Sequence, residues 1–419
     1  MRKAVAQGVR IGKRVARRVP LLASIYHYLL SLFGAVIYRF PTRKLRVIGV
    51  TGTKGKTTTL EILGDILDRA GIPHALITSL EIKIGAARER NRLDMTMPGR
   101  LTLQHFLARA ARAGCRVAAI EVTSEGVRQH RHRHIQWSAG LLLNLAPEHI
   151  ESHGSFARYR AAKLAFLEYV GRHGGRVALR ATGEEKAFFT RALRKKGVMP
   201  HFFSPALLEG YQLSPFLQAP FNKENAAAAV YLARIAGAGA SAIREALRNF
   251  QGVQGRISYV LRDPFRVVID YAHTPDSLEK VYAHLREELP RGKKLICVLG
   301  AAGGGRDRWK RKEFGAIAGR FCDRIFLTDE DPYDEDPGSI VAAIEEGIPR
   351  AKRRCVSVLL DRRAAILEAV RYAKAGDTVV MTGKGSELWI HGPQGKRIPW
   401  DEEEAARAAI AARIKKESP

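Results

Sequence analysis

The chain has 419 residues, 46% hydrophobic and 27% charged, a mixture that excludes a disordered chain and leaves length for two or three folded domains. Lys and Arg number 70 against 42 Asp and Glu, a formal charge of +28. That excess predicts attraction to polyanions and does not bear on the fold.

The N-terminus is basic and apolar. No Asp or Glu precedes Glu61. Arg2, Lys3, Arg10, Lys13, Arg14, Arg17 and Arg18 are followed by an uncharged stretch at 19–38, then by Arg39, Arg43, Lys44 and Arg46. A run of about 20 residues is just long enough to span a bilayer as a helix. Pro20, Ser24, His27, Ser31 and Gly34 dilute this one, both flanks are basic, and no signal-peptide cleavage pattern follows. The expectation for residues 1–40 is a helix lying on an inner membrane face, cations among the headgroups. The alternative is that the segment packs on the protein's own core.

Residues 45–50 read as a β-strand, entering a Gly/Thr loop and a helix over 60–70 that Gly71 and Pro73 stop. Strands are expected at 75–79, 116–122 and 140–145, and helices at 102–113, 157–169, 225–235 and 241–250. After 252–256 the alternation restarts, with strands at 265–270, 294–299, 323–328 and 377–381 and helices at 276–289 and 361–373. Such alternation predicts α/β architecture with parallel sheets. The charged tail from Asp401 reads as a solvated surface helix. Cys115, Cys297, Cys322 and Cys355 are widely spaced with no C-x-x-C pair, which argues against a zinc ribbon or disulfide framework and for a reducing, cytoplasmic compartment.

The most specific local signal is Gly52-Thr53-Lys54-Gly55-Lys56-Thr57-Thr58, between the first strand and a helix. Glycines let backbone N–H groups approach phosphate oxygens, and the helix N-terminus adds a positive dipole. Lys56 is then expected at the β/γ-phosphates and Thr57 at Mg²⁺. Val50 stands where the longer G-x-x-x-x-G-K-T form has its first glycine. The reading is a P-loop ATPase central domain at 41–254 and a Rossmann-like C-terminal domain at 255–419.

Further motifs follow in order: Glu121-Val-Thr123-Ser124, Asn144-Leu-Ala-Pro-Glu-His149, Tyr159-Arg-Ala-Ala-Lys163, Asn222-Lys-Glu-Asn225, Gly255-Arg256 and Asp270-Tyr-Ala-His273-Thr-Pro275. Gly303-Gly-Gly-Arg306-Asp307, Lys310-Arg311, Asp361-Arg362 and Gly383-Lys-Gly-Ser-Glu387 complete the series. Together they resemble the Mur ligase family, and within it the MurE-type enzymes that add the third residue of the peptidoglycan peptide. The resemblance runs from about residue 45 to about 390. It implies an ATP-dependent, ADP-forming ligase that turns a carboxylate into an acyl phosphate, which an incoming amine attacks. Carboxylate and amine do not condense in water unactivated, so such a protein must chiefly neutralise anionic charge and align its partners.

The resemblance assigns Gly52 to Thr58, Asn225, Arg256, Asp270, His273 and Lys310 to ATP. It gives one Mg²⁺ to Thr57 and Glu121. A second goes to His149 and to Lys163, which the family carbamylates. Thr96, Thr123, Ser124, Arg131, Arg306, Asp331, Tyr333, Gly383 and Glu387 are then expected at the muramyl-peptide acceptor and the amino acid. Tyr159 and Lys163, four residues apart, share a helix face. His130, His132 and His134 alternate with arginines and read as a basic exposed loop without metal.

Two departures stand out. The family's uridine-binding domain has no counterpart before the loop, which predicts a lipid-linked or partner-presented acceptor. In the family's Asp-Asn-Pro-Arg selector, Glu330-Asp331-Pro332-Tyr333 lacks the arginine that clamps the distal carboxylate of diaminopimelate. Asp331, Asp334 and Glu335 suit an ammonium end, as in lysine, or form a solvated loop. Ser386 and Glu125 also stand where the family has histidines. A folylpolyglutamate- or cyanophycin-synthetase-like ligase is the nearest alternative. A nucleic-acid-binding P-loop NTPase explains the charge but not Lys163, His149 or the C-terminal motifs.

Overall fold

The computed structural model describes residues 20–93, 95–148, 153–305 and 307–417. Contacts divide the chain into two units. One holds residues up to Leu145 together with Ser155–Gln251; the other holds Ala146–Gly154 and Gly252 onward.

The first unit opens with helix α1, Pro20–Ile37, and strand β1, Arg46–Thr51. There follow α2 Lys56–Arg69, β2 His74–Ile77, β3 Glu81–Ile84, β4 Ala87–Arg90, α3 Arg100–Arg112, β5 Val117–Glu121, α4 Ser124–Arg128 and β6 Trp137–Leu142. Then come α5 Phe156–Arg172, β7 Arg176–Arg180, α6 Glu185–Arg194, β8 His201–Phe203, α7 Pro220–Ala236 and α8 Ala240–Asn249. The strands form one sheet in the order β4-β3-β2-β5-β1-β6-β7-β8. β1 pairs in parallel with β5 and β6, and every one of its residues after Arg46 is buried. That continuous burial is why strands covered by helices on both faces read as unbroken apolar runs. The chain leaves β1 for neighbours on both sides, so the loop after it lies at a topological switch point, where open α/β sheets bind ligands.

The sheet is not wholly parallel. β3 and β4 add an antiparallel edge, and β4, Ala-Arg-Glu-Arg, is exposed throughout. Without buried alternation the sequence carried no signal for it. Charge along an edge discourages pairing with other chains.

In the second unit β9 Ser258–Leu261 pairs antiparallel with β10 Arg266–Asp270. After them come α9 Pro275–Glu287, β11 Leu295–Leu299, α10 Lys310–Phe321, β12 Arg324–Leu327, α11 Pro337–Glu346, β13 Val356–Val358, α12 Arg362–Tyr372 and β14 Thr378–Thr382. A hairpin of β15 Trp389–His391 and β16 Arg397–Pro399 precedes α13, Glu402–Glu417. The main sheet runs β13-β12-β11-β14-β10-β9, parallel but for β9.

Several expectations are corrected. Cys297 and Cys322, 25 residues apart, form a disulfide; the fold brings the end of α10 beside β11. α13 is no solvated helix. Ala405, Ala406 and Ala409 lie in the second unit's core, and Glu402 is buried. The His130–His134 segment is not an exposed loop. Arg131 and His132 are buried, and burial together with Arg133 lowers the His132 pKa to about 3.

α1 packs one side on α3. Gly34 allows the approach, since a Cβ there would sit 3.3 Å from Leu101 and Gln104 atoms, and Ser31 and Ala35 are buried. No helix among the described residues is long and apolar enough to cross a membrane.

α13 is anchored by a buried ion pair. Glu402 accepts from Arg362 Nη2 at 2.5 Å and Nε at 3.0 Å, and from Trp400 Nε1 at 2.6 Å. Removing one partner strands a guanidinium that water cannot reach. Glu402→Ala is therefore expected to cost about 3–5 kcal/mol in urea unfolding, while Glu404→Ala, at an exposed position of the same helix, changes stability by under about 0.5 kcal/mol.

Candidate active site

The phosphate loop is shaped from outside itself. Gly55, the N-cap of α2, has φ +84° and offers no side-chain cap to the first turn. A Cβ there would be strained and would overlap the Asn225 amide. Asn144 clamps the loop: its Oδ1 accepts from the backbone N–H of Thr53 (3.1 Å) and Lys54 (2.9 Å), and its Nδ2 donates to Lys54 O (3.1 Å). Lys56 Nζ folds back on the carbonyls of Gly52 and Thr53, both at 3.0 Å. Buried Lys163 reaches from α5 to Gly52 O at 2.8 Å, its Nζ 4.6 Å from the Tyr159 ring centre. Tyr159 in turn shares a 3.0 Å hydrogen bond with the Thr53 hydroxyl.

Beside the loop, the Thr57 hydroxyl donates to Glu121 Oε1 at 2.7 Å, and Ser79 donates to the same oxygen through its backbone N–H at 2.9 Å. Thr57, Thr58 and Glu121 are buried. Behind them Glu61, four residues along α2 from Thr57, accepts from the Thr78 hydroxyl at 2.9 Å. Burial first, then the Glu81 carboxylate, raises its pKa to about 7.

Farther along the sheet edge Thr123 caps α4 by accepting from Gly126 N–H at 3.1 Å, and Ser124 is buried. Arg131 donates to Met97 O and to Gln129 Oε1 (2.9 Å); Thr96, half-buried, precedes Met97. Gly52 to Thr58, Glu121, Lys163 and Asn225 therefore form one cluster; Arg131 reaches the Met97 carbonyl next to Thr96, and Thr123 and Ser124 open α4. His149 lies outside the described residues.

In the second unit Asp270 ends β10, His273 and residues 331–333 and 383–387 follow β10, β12 and β14 at the carboxyl edge of the sheet, Lys310 opens α10 and Arg256 precedes β9. Asp270 accepts from the backbone N–H of Ile257 (2.8 Å) and Ala272 (2.7 Å). The His273 ring bonds Tyr271 O (2.8 Å) and buried Glu148 (3.0 Å), and Lys310 Nζ donates to His273 O (3.1 Å). The Arg256 guanidinium lies 4.3 Å from the Tyr271 ring centre, and the Tyr271 hydroxyl donates to Glu387 at 2.8 Å. Burial and the Glu387 charge push that phenol well above its ordinary pKa. Gly255 and Gly385 cross closely; a Cβ on Gly255 would lie 2.5 Å from Ser386 N.

Buried Lys384 bridges Asp331 (2.9 Å) and Glu387 (2.6 Å). Burial opposes its charge, but those carboxylates hold its pKa above the ordinary lysine value. Asp331 also accepts from His391 N–H at 2.8 Å. Glu335 binds Arg311 through both oxygens (2.8 and 3.0 Å), and Asp334 accepts from Gln394 N–H. Asp331 and Glu335 are thus committed to internal partners, while Asp334 is exposed to solvent. Tyr333, at φ +53°, stacks on His391 with ring centres 5.2 Å apart. Gly383 lies against the Glu330 carboxyl, whose pKa burial and Asp331 raise to about 7. Arg306 lies outside the described residues.

Comparisons with known proteins give the family. Residues 50–208 match the Mur ligase middle domain, and 255–385 match the Mur ligase glutamate ligase domain. The UDP-N-acetylmuramoyl-L-alanyl-D-glutamate–2,6-diaminopimelate ligase of Thermosynechococcus vestitus is 37% identical over 410 residues, 91% of this chain and 80% of that protein. The chain belongs to the Mur ligase family. A solved structure of a ligase of the same name superposes with TM-score 0.60 at 26% identity, covering 92% of this chain and 83% of that one. The bifunctional folylpolyglutamate/dihydrofolate synthase of Yersinia pestis, solved with AMPPNP and Mn, shares the fold at TM-score 0.67 and 17% identity, over 85% of this chain and 90% of that one.

Several residues that shape the cluster in each unit had no role in the sequence reading. Asn144 and Arg362 lie within quoted motifs, a signal that singled them out as neither clamp nor anchor. Ser79 ends a plain apolar strand, and Glu148 and Lys384 became visible only through partners 125 and 53 residues away.

Glu61 gives a pH test. Its folded pKa, near 7, exceeds the ordinary 4.5, so its stabilising contribution is full below pH 4.5 and is lost as pH rises through about 7. Melting curves over this range should show Glu61→Gln gaining on the wild type as pH rises from 4.5 to about 7, with the difference constant above.

Proposed function

We propose that this Mur ligase joins an amino acid to a muramyl-peptide precursor of the cell wall, consuming ATP and releasing ADP and phosphate. The observation that carries the reading is the buried cluster at the phosphate loop, where Thr57, Glu121 and Lys163 converge with Lys56. A hydroxyl and a carboxylate are hard oxygen donors of the type Mg²⁺ takes beside phosphates, so these residues fit the ion. Thr57 and Glu121 would hold one ion, and His149 with carbamylated Lys163 a second. Bound there, Mg²⁺ supplies positive charge against the triphosphate.

The rest of the task falls to the chain. Lys56 exchanges its carbonyl partners for the γ-phosphate. The acceptor carboxylate oxygen attacks γ-phosphorus, and ADP leaves. The amine then attacks the acyl carbon, phosphate departs, and the nitrogen gives up its proton. Asn225, Arg256, Asp270, His273 and Lys310 serve the nucleotide. Thr96, Thr123, Ser124, Arg131 and Arg306 serve the acceptor, and Asp331, Tyr333, Gly383 and Glu387 the amino acid.

The name of the Thermosynechococcus vestitus relative specifies 2,6-diaminopimelate. With Tyr333 in place of the clamping arginine, a distal carboxylate has no bidentate partner, and we propose an amino acid such as lysine instead. We place the enzyme in the cytoplasm, with residues 1–40 on the inner membrane face and a UDP- or lipid-linked acceptor.

The test is ADP release across a panel of amino acids with UDP-linked and lipid-linked muramyl dipeptides. Turnover should require both partners, with lysine above diaminopimelate. Lys56→Ala should lower kcat by about 10²–10³-fold or more. Unchanged amide synthesis in that variant, or hydrolysis indifferent to every amino acid, defeats the reading.

A further inference from the structure

α1 has two unlike sides. Ser24, His27, Ser31, Gly34 and Ala35 face the protein. On the opposite side Leu22, Ile25, Leu29, Phe33 and Val36 follow one another at intervals of three and four residues, each about half exposed, from 47% at Ile25 to 56% at Leu29. Such spacing makes one continuous apolar stripe along a helix. Soluble surfaces seldom leave a stripe of this kind open without a partner.

We propose that this stripe seats in the headgroup and acyl boundary of an anionic lipid bilayer. Charge selects that partner. Arg39, Arg43 and Lys44 are exposed just beyond the C-terminal end of α1, and seven Lys and Arg precede it in sequence, with no acidic residue before Glu61. Cations that flank an apolar stripe in sequence meet anionic headgroups while the stripe meets acyl chains. A second copy of this chain would bring +28 against +28. α1 lies on the surface rather than spanning, since no helix among the described residues can cross a membrane.

The inner side of α1 gives the seat a consequence. Ser24 Oγ is 2.8 Å from His130 Nε2, Ser31 Oγ donates to Arg133 O at 3.2 Å, and His27 meets Arg100, which holds Gln129 O at 3.1 Å. α1 is therefore fixed to the segment carrying Arg131. Docking the stripe brings the proposed acceptor residue to the membrane, where a lipid-linked muramyl peptide would reside; this clause rests on the ligase reading, and the docking does not.

The experiment is co-sedimentation of the full chain with vesicles of phosphatidylglycerol and phosphatidylcholine in equal parts, against phosphatidylcholine alone. The chain should pellet with the anionic vesicles, less at high salt. Leu29→Glu/Phe33→Glu should lower the partition coefficient by at least about tenfold, and Met199→Glu, an exposed apolar position elsewhere, should leave it unchanged. Because Leu29 and Phe33 face outward, the double variant should keep the wild-type melting temperature. No pelleting by the wild type, equal pelleting with neutral vesicles, or an unaffected double variant overturns the proposal. So does sedimentation equilibrium showing a dimer that the double variant disperses without any vesicle binding. ADP release with UDP-linked and lipid-linked acceptors is measured in parallel in the absence of vesicles: no turnover with either sinks the ligase reading and leaves the docking result standing.

Discussion

The turn from β1 into α2 must pass through left-handed backbone at Gly55 while leaving room for a polyanion. Such a turn cannot hold its shape from its own residues, because glycines bring flexibility along with freedom. Its rigidity is imported. Asn144 ties down Thr53 and Lys54, Lys163 grips the Gly52 carbonyl, and Asn225 fills the space that any Cβ on Gly55 would need. Preorganisation of this kind holds the loop backbone ready for phosphate, so that only the Lys56 side chain has to change partners.

The second unit solves a different problem. Its loops carry Asp331, Lys384 and Glu330 into a region with little water, where an unpaired charge is costly. The charges are chained instead: Arg256 lies on Tyr271, Tyr271 bonds Glu387, and Lys384 joins Glu387 to Asp331. Arg362 extends the ordering by donating to Thr382 O (2.9 Å) and Asp329 O (3.2 Å), at the roots of the two loops. The loop carrying residues 330–335 is therefore braced from behind, and a change at Tyr333 leaves Asp331 and Glu335 held by Lys384 and Arg311.

Much of this was legible in one dimension. The strands at 45–50 and 294–299 and the helix at 102–113 announce themselves by apolar runs and Gly stops, and the structure places elements there to within a few residues. The edge strand β4 carried no such mark, because its burial pattern is uniform exposure. The tail from Asp401 misled for the opposite reason: its alanines and Glu402 look polar or neutral in sequence, yet they close the core.

By itself, then, the sequence determined the α/β alternation, the phosphate loop and the order of family motifs, since periodicity and turn chemistry act over a few residues. Only the tertiary structure decided that Lys163 meets Gly52 across 111 positions, that Asp331 is claimed by Lys384, and that Cys297 meets Cys322. Those outcomes depend on which strands become neighbours. Strand order is set by packing the whole chain, so no local window contains it.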